Sequence, residues 1–120
     1  MTQHEMHQSM SQAMQECIQN CMDCHRICLE TAMHCLTMGG QHAEQSHMRI
    51  MLDCAEMCQT SANFMIRGSE FHPRTCGVCS EVCLRCADDC ERVGPDAQMQ
   101  QCIETCRRCA ESCRRMALAA

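Results

Sequence analysis

Along most of this chain, the positions where a helix would carry Leu or Ile toward a core carry cysteine. Cys17, Cys21, Cys24, Cys28 and Cys35 follow steps of 4, 3, 4 and 7, the a and d spacing of a heptad seam. The same rhythm returns in Cys76, Cys79, Cys83, Cys86 and Cys90, and again in Cys102, Cys106, Cys109 and Cys113. The unit C-x3-C-x2-C-x3-C thus occurs three times, at 17–28, 79–90 and 102–113. A half unit, Cys54 and Cys58, lies between, and extending its register places His47, Met51, Ser61 and Met65 on the same stripe. The pattern turns every cysteine inward. The residues between them, such as Asp88-Asp89, Arg107-Arg108 and Arg114-Arg115, read as solvated faces.

Breakers divide the chain. Gly39-Gly40, Gly68 with Pro73, and Gly94-Pro95 separate stretches rich in Ala, Met, Glu, Gln and Arg, with Gly77 the one interior glycine. Helices are expected at 9–38, 43–67, 73–93 and 96–117, with the first ten residues a frayed extension or a disordered tail. Short connections favour antiparallel neighbours, so residues 1–120 are read as one all-α domain, an up-down-up-down antiparallel four-helix bundle with a cysteine-lined core. Helices of about 22 residues span roughly 33 Å, room for several core layers.

Composition sharpens the picture. Of 120 residues only 15 are Ile, Leu, Val or Phe, whereas 29 are Cys or Met, so sulfur must fill the interior. The net charge of −5 with no basic block, and two Phe without Tyr or Trp, argue against nucleic-acid binding. No apolar run is long enough to cross a membrane. The start, Met1-Thr2-Gln3-His4-Glu5-Met6-His7, has neither the basic nor the apolar region of an export signal, so a cytoplasmic location is expected. In a reducing compartment this cysteine count points to metal or redox chemistry and away from a disulfide scaffold.

The spacing constrains that chemistry. Cys at i and i+4 on a helix have Cβ atoms ~5–6 Å apart, too far for a disulfide, which needs about 3.5–4.5 Å. One ion between two thiolates asks for sulfurs ~4.5 Å apart if the metal–sulfur bond is ~2.3 Å. Seven pairs have this spacing: Cys17/Cys21, Cys24/Cys28, Cys54/Cys58, Cys79/Cys83, Cys86/Cys90, Cys102/Cys106 and Cys109/Cys113. Cys35 and Cys76 are left as third ligands or bridges. Sixteen buried thiolates would carry an intolerable charge unless protonated or metal-bound. One Cu(I) per thiolate gives a neutral core, whereas four Zn²⁺ in Cys₄ sites leave it strongly negative. Zinc knuckles and iron–sulfur clusters also usually take their ligands from loops. Cys and Met together select Cu(I).

The paired cysteines on four helices, in segments such as Cys83-Leu84-Arg85-Cys86-Ala87-Asp88-Asp89-Cys90 and Cys106-Arg107-Arg108-Cys109-Ala110-Glu111-Ser112-Cys113-Arg114-Arg115-Met116-Ala117, resemble the bacterial copper storage proteins. The likeness runs from about Met10 to Ala117. It implies a bundle whose core cysteines bind many Cu(I) ions, commonly assembled as a homotetramer, storing copper and limiting its toxicity. Family members without an export signal are cytosolic. The second helix departs from the pattern with only two Cys, which implies a reduced capacity on that face.

The family often places His and Met at the bundle mouth. Here the hairpin between the first two helices carries His34, Met38, His42, His47, Met48 and Met51, and His34-Cys35-x-x-Met38 with Met51 before Cys54 is similar to that arrangement. On this reading Met38 and Met51 receive Cu(I) and pass it to Cys35, Cys54 and Cys90. A plainer reading has Met51 and Met65 only filling seam positions. His4, His7 and His25 are read as solvated. With no paired general base and no substrate-sized polar cleft, the chain is read as a binding protein and not an enzyme. The rivals are a thiol redox reservoir or sensor and a zinc or iron–sulfur protein.

Overall fold

In the computed structural model, which describes residues 3–118 and the side chains from residue 12 onward, four helices form an antiparallel bundle. α1 spans Gln3–Met38, α2 Gln45–Ile66, α3 His72–Val93 and α4 Ala97–Leu118. α1 begins well ahead of the expected residue 9, because nothing between Gln3 and Met14 interrupts a run of good helix formers. The side chains of His4 and His7 lie outside the described set. A 3₁₀ turn at Gly40–Ala43, absent from the expected elements, carries the chain from α1 to α2. Each helix packs beside its neighbour in the chain, and α4 closes the bundle against α1. No described helix is long and apolar enough to cross a membrane.

The breakers act through specific bonds. After α2, Gly68 adopts φ +65°, its N–H donates to Met65 O at 3.0 Å, and Ser69 N–H reaches back to Phe64 O at 2.9 Å. That pair of bonds is a Schellman closure, which demands a left-handed residue. Pro73 lies in the first turn of α3, where its missing N–H costs nothing. Asp96 caps α4, accepting the Met99 N–H at 3.0 Å.

All sixteen cysteines are fully buried, together with Met51, Met65, Met99 and Ile103. Small residues flank the sulfur seam at the helix contacts: Ala32, Ala55, Ala62, Ala87 and Ala110 are each at most 2% exposed. Polar side chains then lock neighbouring helices together. Asn20 donates to Ser112 Oγ at 3.1 Å, Gln98 to Thr31 Oγ1 at 3.0 Å, and Ser80 Oγ to Ala110 O at 2.8 Å. His25, read from sequence as solvated, is half-buried and donates from Nδ1 to Ala55 O at 2.7 Å, joining α1 to α2.

Candidate metal centre

The heptad steps put each cysteine on the inner stripe of its helix, and the four stripes meet along the bundle axis. The sulfurs form a continuous array. Within one helix, the pairs Cys24/Cys28, Cys79/Cys83 and Cys102/Cys106 stand 3.9 Å apart and Cys109/Cys113 4.0 Å. Between helices the approaches are as close: Cys21 to Cys113 at 3.4 Å, Cys58 to Cys83 at 3.5 Å, Cys24 to Cys106 at 3.6 Å and Cys17 to Cys113 at 3.7 Å. These gaps are shorter than the ~4.5 Å of a linear bridge and match the about 4.0 Å between sulfurs sharing a trigonal ion with ~2.3 Å bonds. The reason is the cross-helix contact, which brings a third sulfur to most pairs. All sixteen thiols are free.

Four groups have every sulfur within 4.8 Å of the others: Cys17, Cys76 and Cys113; Cys21, Cys79, Cys109 and Cys113; Cys24, Cys58, Cys83 and Cys109; and Cys24, Cys28, Cys54 and Cys106. Neighbouring groups share a corner at Cys113, Cys109 and Cys24, so ions placed in them would be bridged by common thiolates. Each thiolate is costly in this interior until an ion offsets it. The array therefore suits a monovalent soft ion taken up in numbers comparable to the thiols.

The end of the bundle formed by the α1–α2 and α3–α4 connections is built differently. Cys35, Cys86, Cys90 and Cys102 belong to none of the four groups. The Met51 thioether accepts from Cys86 Sγ at 3.4 Å and from Cys90 Sγ at 3.5 Å, which makes a mixed thiol and thioether layer. His47, fully buried, lies with Nε2 3.3 Å from Cys35 Sγ, while its Nδ1 donates to Asp89 Oδ2 at 2.7 Å. That second bond fixes the ring with Nε2 turned to the Cys35 thiol. Burial pushes Cys35 up to about 11, helped by the Asp96 carboxylate and by the Cys102 and Cys86 thiols. Burial also pulls the Asp89 carboxyl upward, but hydrogen bonds from Arg92, at 2.8 Å, and from His47 outweigh it and hold it below the usual carboxylate range.

The residues singled out in sequence separate here. Met51 joins the sulfur core beside Cys86 and Cys90, whereas Cys54 faces Cys24, Cys28 and Cys106. Met38 is 54% exposed. His34 turns toward α4, its Nε2 2.6 Å from Asp96 Oδ2. Asp89, read as part of a solvated face, leans inward to hold His47. His47 itself was placed on the seam by register but not singled out as a site residue; an imidazole at a seam position twelve residues after Cys35 was the available signal. At the opposite end Ser61, also on the seam, sits with Oγ 3.4 Å from Cys76 Sγ.

A family model described as copper storage protein matches residues 10–118 of the chain. The crystal structure of a protein from Nitrosospira multiformis superposes with a TM-score of 0.87 at 52% sequence identity, covering 92% of this chain and 99% of that one. A Cu(I)-bound copper storage protein from Bacillus subtilis superposes with a TM-score of 0.81 at 30% identity, covering 88% and 98%. A cytosolic copper storage protein from Streptomyces lividans, in a structure with five coppers, gives 0.76 at 27% identity over 89% and 93%.

Proposed function

The chain belongs to the copper storage protein family, and from that membership we propose that it stores and sequesters many Cu(I) ions on the thiolates of its core. The observation that carries the reading is a core of sixteen buried free thiols, twelve of them arranged in corner-sharing groups of three and four. Each Cu(I) displaces a thiol proton, so the core stays close to neutral as it fills.

The ligands in this reading are Cys17, Cys21, Cys24, Cys28, Cys35, Cys54, Cys58, Cys76, Cys79, Cys83, Cys86, Cys90, Cys102, Cys106, Cys109 and Cys113. Met51 serves the layer at Cys86 and Cys90. Met38 and His34 are surface way-stations at the same end: the exposed thioether of Met38 is free to meet incoming copper, and His34 does so on leaving Asp96. The thiols are fully buried along a closed seam, which supports binding without catalysis. The bundle acts as one domain and works in the cytosol, as the Streptomyces relative is described to do.

Assembly as a homotetramer accords with a second apolar stripe on α1. Met22, Leu29, Met33 and Leu36, at steps of 7, 4 and 3, are 39–57% exposed, and His25 between them touches α2, where Leu52 is 43% exposed. A contiguous apolar face of this kind calls for a covering surface.

Anaerobic titration of the reduced protein tests the function. Cu(I) is expected to saturate near one ion per cysteine, with all sixteen thiols lost to a thiol reagent, while Zn²⁺ stops well short of that ratio. Saturation after only a few ions, or oxidation to disulfides in place of loading, would overturn it.

A further inference from the structure

The sulfur array ends, at the α2–α3 connection, in a group unlike the others. Cys17, Cys76 and Cys113 offer three thiols, whereas each remaining group offers four. The position from which α2 would supply a fourth is Ser61, three residues after Cys58 on the same stripe; it is fully buried, with its hydroxyl against Cys76. A hydroxyl is a hard donor and does not replace a thiolate on a soft ion.

We propose that Cys17, Cys76 and Cys113 form a site for a trivalent thiophilic ion, arsenic(III), taken up as arsenous acid. Charge separates this ion from copper. One Cu(I) displaces a single thiol proton, so two of these three thiols keep their protons beside it. Three thiolates around As(III) are neutral. As(III) also keeps a lone pair and binds three sulfurs as a pyramid, so it has no use for a fourth ligand where Ser61 stands. In a group of four thiols the same ion leaves one thiol over, facing the lone pair.

The reaction needs no oxidant or reductant. Three S–H bonds and three As–O bonds break, three As–S bonds form, and the three hydroxyl groups leave with the thiol protons as three waters. Arsenous acid is small and uncharged near neutral pH, so it reaches the core without the desolvation cost of an ion. The site lies close to the bundle end: Cys76 is one turn from the start of α3, and Cys113 is in the penultimate turn of α4. Because Cys113 also belongs to the adjoining group, bound arsenic lowers the copper capacity of that layer.

The test uses the reduced, copper-free full-length protein under anaerobic conditions, so its outcome does not depend on the copper reading. Sodium arsenite is added, unbound arsenic is removed by desalting, and retained arsenic and remaining thiols are counted. The expected result is a single retained equivalent with the loss of three thiols. Cys76→Ser and Cys17→Ser, each checked for helix content by circular dichroism, are expected to lose that retention, while Cys35→Ser at the far end and Ser61→Ala keep it. No retention by the wild-type protein, retention of several equivalents, or retention unchanged in both Cys76→Ser and Cys17→Ser would overturn the assignment.

Discussion

Met51 and Cys86 meet sulfur to sulfur at 3.4 Å across the α2–α3 contact, a thioether placed against a thiol at the end of the core where His47 also lies. Met51→Leu preserves shape and burial, so its effect on folding stability is expected to stay below about 1.5 kcal/mol. Its effect on metal should be larger. The layer at Cys86 and Cys90 loses a neutral soft donor, and anaerobic stopped-flow loading is expected to show a slower first phase and a small drop in capacity. Unchanged kinetics and capacity would remove Met51 from the copper path and leave it a filler of the seam.

Cys24 belongs to two four-thiol groups and Cys35 to none. Cys24→Ser is therefore expected to reduce bound copper by more than Cys35→Ser, because one lost corner degrades two adjoining sites. Metal quantification at saturation compares the two. Equal losses would mean that the thiols act independently and that the shared corners have no consequence.

Copper bound by the folded core and not by the unfolded chain must stabilise the fold. With free Cu(I) at 100 times the dissociation constant, a single site adds about 2.7 kcal/mol, and several such sites add more. Thermal unfolding followed by circular dichroism should show the midpoint climbing with each equivalent of copper. A midpoint that ignores copper would place the ions outside the bundle interior.

Asp96 joins two functions at the hairpin end, capping α4 and accepting from His34. Asp96→Ala is expected to cost about 1 kcal/mol, the usual value of a lost N-cap. The backbone N–H of Met99, and after it His34, hold the Asp96 carboxyl below its ordinary pKa in the folded protein. The sign follows: this stabilisation is fully present above the ordinary carboxylate pKa and fades as the pH falls through the lowered folded value. Denaturant unfolding of both proteins should thus differ near neutrality and converge in acid. A difference that persists undiminished in acid would mean that the charge of Asp96 plays no part.

The heptad steps of the cysteines determined a great deal by themselves. A seam that repeats at 3 and 4 can face a common axis only as a helix, so burial of all sixteen thiols followed from spacing, as did the seam places of Met51, Ser61, Met65 and His47. Glycine and proline located the breaks between helices for equally local reasons, as the left-handed Gly68 illustrates. Which sulfur meets which could not be read that way. Cys21 and Cys113 are 92 residues apart in the chain, and their 3.4 Å contact depends on the rotation and axial offset of α1 against α4. The same is true of Asp89. Its sequence neighbours, Asp88 and Arg92, mark an outer face, yet at the α2–α3 contact a carboxylate beside the seam reaches the imidazole of His47, and only the packing of the two helices made that pairing. His34 likewise needed the packing for its partner: one residue along a helix from Cys35 turns a side chain by about 100°, and at that angle His34 meets Asp96, the cap of α4. The periodicity of the chain chose the inward residues; the packing of the helices decided which of them lie within reach of one another.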